Sequence, residues 1–196
     1  MSAICSFVHA LFSVTASYVV VSLVANAIHR WPSHDPRWKD ARGLIWPFGE
    51  IFRRHALHHQ AFPRFDRPAH DDETRYALDI DARVTAAMAA LLAAPLLWLD
   101  WVSGLAMAAA VVLHNHIYNE IHFEMHAPRG RWFARTALFR YYVWYHFLHH
   151  RHPGTRFDSA FPLSDWLLGT LGTATDADRN MFAAMGKQAT KVADVR

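Results

Sequence analysis

The first 28 residues, Met1 to Ile28, contain no Asp, Glu, Lys or Arg, and a second apolar block from Val84 to Leu113 carries one charge, Asp100. As a helix the first stretch would reach roughly 40 Å at 1.5 Å per residue, more than the ~30 Å of a bilayer's hydrocarbon core. A chain of 196 residues has room for one domain, and 53% hydrophobic residues with eight Trp and thirteen Phe is rich for a soluble domain of that size. A bilayer accounts for the excess. Met1 to Ile28 therefore reads as a first membrane span. A secretory leader is the competing reading, with Ala25-Asn26-Ala27 as a cleavage site, but the segment has no basic start and its apolar run is too long. The second block is over-long for one helix. Asp100 sits between Trp98 and Trp101, with Pro95 before and Ser103-Gly104 after, which marks an interfacial turn. Val84 to Leu99 is expected as a short span, with a tilted or re-entrant hairpin as its alternative, and Trp101 to about Ile121 as a longer one.

The basic residues set the expected topology. All twenty Lys and Arg lie between Arg30 and Arg83 or from Arg129 onward. The positive-inside rule places both segments in the cytoplasm, which requires an even number of crossings between them, and a hairpin supplies two. The predicted fold is an all-α integral membrane protein of about three spans, one N-terminal span plus a hairpin, with a cytoplasmic helical cap and the N-terminus on the opposite side. Residues 1–174 form a single membrane-embedded domain and 175–196 a polar, mobile or loosely docked tail. The net charge of +3 does not point to nucleic acid, because the Arg-rich stretches are interleaved with Trp and Phe and border apolar helices, which suits lipid headgroups. Cys5 is the only cysteine, so no intrachain disulfide and no thiolate metal site is available.

Ten of the fifteen histidines fall into four spaced groups next to the apolar stretches: His29 and His34; His55, His58 and His59; His122 and His126; and His146, His149 and His150. The hairpin brings all four to one side of the membrane. Neutral imidazole offers a nitrogen lone pair, and residues three or four apart share a helix face, so several can converge on one ion. In each HxxHH triplet the first two rings are expected to aim at one metal and the third, about 100° round the helix, at a second. Ten nitrogens supply two ions at four or five ligands each. Asn115 and Asn119 fall on the His122/His126 face and are expected to support the ligands. His9, inside the first span, is expected to bond locally or snorkel, and His70 to be solvated. His114 and His116 are rotated away from the ligand face. His152-Pro153-Gly154 resembles a fragment of a cytochrome b5 haem motif without the rest of that domain, and reads as a turn.

These groups, in order and internal spacing, resemble the fatty acid hydroxylase and sterol desaturase superfamily of integral-membrane di-iron enzymes. That family carries HxxxxH at the end of a span, HxxHH shortly after, a transmembrane hairpin, then HxxxH and a final HxxHH. The resemblance covers Ile28 to Thr170. It extends to Phe161-Pro-Leu-Ser-Asp165-Trp-Leu-Leu-Gly169-Thr170, where Asp165 is expected to orient a ligand histidine through its second ring nitrogen. That ending sets the chain apart from the related carotenoid hydroxylases. Just upstream it departs from the family, with Arg156-Phe157-Asp158-Ser159 where Asn-Tyr/Phe-Gly is usual. The chain is short for the family, lacking an extra N-terminal span pair and a fused cytochrome b5 domain.

The resemblance implies an O2-dependent di-iron oxygenase of lipid biosynthesis that attacks an unactivated C–H bond of a membrane lipid or other lipid-like substrate, by hydroxylation in the first place and desaturation in the second. An apolar C–H bond offers nothing for acid–base chemistry, so its oxidation needs a redox metal and O2. Two iron ions are the expected cofactor, with zinc able to substitute in a preparation. No GxGxxG fingerprint occurs, so electrons are expected from a separate reductase, ferredoxin or cytochrome. A membrane zinc hydrolase is one rival, weakened by the absence of HExxH. A metal transporter or sensor is the other, weakened because the ligand groups sit at one face and not along a pathway.

Overall fold

The computed structural model describes residues 3–62, 77–158 and 160–185, and every regular element among them is helical. The expected solvation of His70 lies outside the described residues. The longest helix, α1 (Ala3–Arg30), has no Gly or Pro to interrupt it. Its buried positions are Ser13, Ser17, Val21, Ser22 and Asn26, whereas Ile4, Phe7, Val8, Leu11 and Phe12 are exposed. A helix with small and polar residues inward and large apolar residues outward is inverted relative to a water-soluble one, and suits packing in lipid. The inward stripe is used: Ser13 Oγ bonds Ser103 Oγ at 2.9 Å and Ser22 Oγ bonds Ser164 Oγ at 2.7 Å.

After α2 (Trp46–Ala61) come two long antiparallel helices, α3 (Ala82–Leu99) and α4 (Trp101–His126). They are separated by Asp100 alone. Its carboxylate accepts from the Val102 and Ser103 backbone N–H groups and caps α4, and it pairs with His9 of α1 at 2.8 Å. The hairpin is closed by Gly104, where a Cβ would sit 2.5 Å from Leu97 Cγ and 2.6 Å from Leu97 N. Gly104→Val should therefore force the helices apart at a cost of roughly 1–3 kcal/mol, read as a lower melting temperature in detergent. An unchanged melting temperature would contradict so close an approach.

Among the described residues two helices, α1 and α3, are long and apolar enough to cross a membrane. The expected third span lies in α4, which is helical throughout but carries His114, Asn115, His116, Asn119 and Glu120 in its second half and falls short by composition. It also runs without a break past Ile121 to His126, so the third histidine pair sits on the same rod as the apolar residues.

The remaining helices gather at the histidine end. α5 (Ala137–Arg151) is capped by Thr136, whose hydroxyl accepts from Phe139 N at 3.1 Å. α6 (Leu163–Leu168) stops at Gly169 in the left-handed conformation, and α7 (Asp176–Ala184) starts with a Thr175/Asp178 capping box. Of the two alternatives for 175–196, a mobile or a loosely docked tail, the described part up to Met185 is docked through α7: Phe182 is buried against Trp144 and Phe147 of α5, and Asp178 meets His152 at 3.0 Å and Arg151 at 3.6 Å. That apolar cluster, with Met125 and Tyr142, fixes α5 against the end of α4. A second cluster of Val21, Ala93, Met107 and Val111 joins the three long helices.

Candidate metal centre

Ten imidazoles meet where the ends of α1, α2, α4 and α5 converge. His29, His34, His55 and His149 bring one nitrogen each to within 4.8 Å of one another, and His58, His126, His146 and His150 do the same. In the first group His29 Nε2 lies 3.2 Å from His55 Nε2, which is 2.9 Å from His34 Nε2; His34 Nε2 is 3.2 Å from His149 Nε2. In the second, His58 and His150 are 2.9 Å apart, His146 and His126 3.0 Å, and His150 and His146 3.2 Å, all through Nε2. The two remaining rings stand one beside each group: His59 Nε2 is 2.9 Å from His55 Nε2, and His122 Nε2 is 3.4 Å from His58 Nε2. The groups adjoin, with the His59 and His150 ring centroids 4.3 Å apart.

The division within each triplet differs from the expected one. His55 and His58 do not aim at the same point, since His55 belongs to the first group and His58 to the second; His149 likewise parts from His146 and His150. At about 100° per residue, positions i and i+4 are only ~40° apart, whereas i+3 swings ~60° the other way. The i, i+4 pairs His55/His59 and His146/His150 therefore stay together and the middle ring crosses to the neighbouring group.

Backbone carbonyls orient several rings. Nδ1 of His29 faces Phe157 O, Nδ1 of His122 lies 2.9 Å from Leu78 O, and Nδ1 of His149 lies 2.8 Å from Thr155 O. A carbonyl only accepts, so the proton of each ring sits on Nδ1 and its Nε2 is a lone pair. Nitrogen lone pairs converging at about 3 Å repel unless a cation lies among them. An all-imidazole set without carboxylates suits iron, zinc, copper or nickel better than calcium or magnesium. The histidine groups thus have the chemistry of a metal-binding centre.

Burial favours the neutral, ligating form. The pKa values of His55, His58, His146, His149 and His150 are pushed well below the usual imidazole range by desolvation and then by neighbouring rings, and those of His34 and His59 are lowered to about 3, again mainly by burial. Above pH 6.5 these rings are neutral whether folded or unfolded. Between 6.5 and about 3 the unfolded chain takes up protons that folded His34 and His59 refuse, so stability falls as pH falls. Chelator-treated protein should melt progressively lower as pH drops from 7.5 to 5. A flat profile would mean that the rings already carry protons in the folded state.

Asn115, Asn119 and Asp165 were expected beside the ligands. None of the three hydrogen-bonds a histidine. Asn115 Nδ2 donates to Thr85 Oγ1 at 3.0 Å, and Asn119 brackets Ile80, accepting from its N–H at 2.8 Å and donating to its carbonyl at 3.0 Å. Asn119 thereby fixes the segment whose Leu78 carbonyl holds His122. Asp165 is fully buried and accepts from Tyr145 Oη, Thr170 Oγ1, Asp158 N at 2.7 Å and Asn26 Nδ2 at 3.2 Å. The partners that exclude a histidine are these four donors, which tie the 157–170 segment to α1 and α5. Through that segment Asp165 places the Phe157 carbonyl against His29. The Asp158 carboxyl, buried beside Asp165, is pushed up to about 7.

The features missed in the sequence are the carbonyls of Leu78, Thr155 and Phe157 and the Tyr118 ring, stacked on His122 at 4.8 Å. Backbone oxygens carry no residue signal. Arg156 adopts the left-handed conformation at φ 58, which an arginine does not announce. A cavity of about 250 Å³ adjoins the first histidine group, with His29 and His55 in its wall. No family model, curated protein or solved structure matches the chain.

Proposed function

We propose that the protein is an integral-membrane di-iron oxygenase, related to the fatty acid hydroxylases and sterol desaturases, that uses O2 to hydroxylate or desaturate a lipid-like substrate. The observation that carries this reading is the pair of adjoining all-histidine groups beside a cavity, at one end of helices whose apolar residues face outward. His29, His34, His55 and His149, with His59 alongside, would hold one iron; His58, His126, His146 and His150, with His122 alongside, would hold the other. When bound, the irons would pass electrons from an external donor to O2 and so supply the oxidant that C–H attack requires.

The chain's own residues do the rest. The carbonyls of Leu78, Thr155 and Phe157 hold proton-bearing Nδ1 atoms and keep Nε2 aimed inward. Burial of the second group, with Phe62 at 4.5 Å from His126, keeps water from that half of the centre. The cavity would admit an apolar chain sideways. We further propose three spans, α1 and the α3/α4 hairpin, with the histidine cap in the cytoplasm and the N-terminus and the Asp100 turn across the bilayer. The basic segments on either side of the hairpin support that orientation, and contact of His9 with Asp100 places the far ends of the helices together. Electrons would come from a separate reductase, ferredoxin or cytochrome.

The test is incubation of reduced, iron-loaded protein with 18O2, a ferredoxin donor and a lipid library. The expected product gains one labelled oxygen or loses two hydrogens, and disappears under argon. Full iron loading and a competent donor with no oxygen-dependent product would overturn the reading, and a product that persists under argon would point to hydrolysis.

A further inference from the structure

The cavity has a polar floor as well as a histidine rim. Ile28, Ile51, Val84 and Met88 contribute apolar wall, His29 and His55 stand at one end, and His114 with Asn115 line it from the middle of α4. His114 lies eight residues before His122, roughly 12 Å along the helix axis, so the floor is on the order of 10 Å from the histidine cap. Asn115 is committed to Thr85. His114 is different: the residue is 9% exposed, its Nδ1 is sealed with no hydrogen-bond partner, and no partner is found for Nε2 among the described residues. An imidazole kept in the apolar interior of a helix pair without a partner is costly, and intramembrane ionisable residues of this kind mark ligand sites.

Resting on the proposed oxygenase reading, we propose that the cavity binds an apolar substrate carrying a neutral hydroxyl group, with His114 as that hydroxyl's hydrogen-bond partner and the first histidine group at the substrate's other end. Neutral imidazole has one N–H and one lone pair. Whichever tautomer His114 adopts, Nε2 is the nitrogen left to a ligand, and it either donates or accepts. A hydroxyl satisfies both cases, a carbonyl one, a methyl neither. A carboxylate is disfavoured because four acids, Glu50, Asp79, Asp81 and Asp158, line the cavity against one cation, Arg54. The volume of about 250 Å³ lies just below the roughly 300–1,000 Å³ of common small-molecule sites, so the part of the substrate inside is a short chain or a small ring system. The carbon facing the histidine cap is then remote from the hydroxyl, and His114 sets which carbon that is.

The experiment compares two photoprobes of equal length, a diazirine-bearing ten-carbon primary alkanol and the corresponding diazirine-bearing alkane, on the metal-loaded full chain in nanodiscs under argon, with cross-linked peptides located by mass spectrometry. The alkanol should label the cavity about five- to tenfold more than the alkane, the ratio one net hydrogen bond provides. His114→Phe, which keeps the ring volume, should erase that preference with metal content unchanged, and His114→Gln, which keeps a donor and an acceptor, should restore it. Equal labelling by the two probes in the unsubstituted protein, or a preference that survives His114→Phe, would overturn the proposal. Because no oxygen or electron donor is present, failure of oxygenase chemistry leaves this result standing, and its failure leaves oxygenase chemistry standing.

Discussion

His149→Ala and His150→Ala, substitutions of adjacent residues, should each remove one bound metal ion of two, and not the same one. His149 stands with His29, His34 and His55, and His150 with His58, His126 and His146. Loss of a ligand costs more than loss of a group behind a ligand, which itself typically weakens metal binding 10- to 100-fold, so a drop of at least about a hundredfold at the affected site is expected. The pairing is tested by double substitution. His149→Ala with His55→Ala should still retain one ion, because both act on the same site, whereas His149→Ala with His150→Ala should retain none. Metal content per chain after gel filtration, measured by mass spectrometry, reads this directly. Retention of one ion in the adjacent pair and none in the His55/His149 pair would reverse the assignment. Oxygen-dependent turnover should be lost in every one of these variants, since the proposed chemistry needs both ions.

The largest effect on stability is expected at Asp165. Alanine there strands the buried Tyr145 hydroxyl and Asp158 N–H and takes the acceptor from the half-buried Thr170 hydroxyl. Each stranded buried group costs about 1–3 kcal/mol, so Asp165→Ala should destabilise by about 3 kcal/mol or more, and lower the melting temperature by roughly 6–12 °C for a chain of this size. The same change should release the Phe157 carbonyl from His29 and weaken the first metal site about tenfold while sparing the second. Melting curves and metal titrations of the purified variant check both. An unchanged melting temperature would show that the four hydrogen bonds are dispensable, and equal weakening of the two sites would remove the link to His29.

The helices and the convergence of the histidines could be read from local patterns. Asp100 between two tryptophans marks the turn of the hairpin because a carboxylate capping a helix and flanking aromatic rings both belong at an interface. The spacings within each histidine group place rings on common helix faces. Which ring goes to which group could not be read, because His58 and His149 sit on the angular boundary between the two and only the relative rotation of α2 and α5 decides. The carbonyls that hold His29, His122 and His149 are likewise invisible, being set by chain path and not by residue type. The docking of α7 had a signal that a polar composition masked: Thr175 and Asp178 have capping-box spacing, and Phe182 is the apolar residue that the α5 cluster buries. Asp165 drew notice for the right neighbourhood and the wrong contact, because four donors nearer than any imidazole claim its two oxygens.

The unbroken length of α1 has a mechanical consequence. One end is latched to the Asp100 turn through His9 and the other delivers His29 to the first histidine group, and no Gly or Pro between them absorbs slack. Sliding such a rod by a single residue moves it ~1.5 Å, about half the spacing between the converging Nε2 atoms. The helix therefore works as a ruler fixed at both marks. In the proposed membrane orientation, a lipid layer thinner or thicker than its apolar length would be felt as strain on His29, so metal retention should track acyl-chain length in reconstituted vesicles.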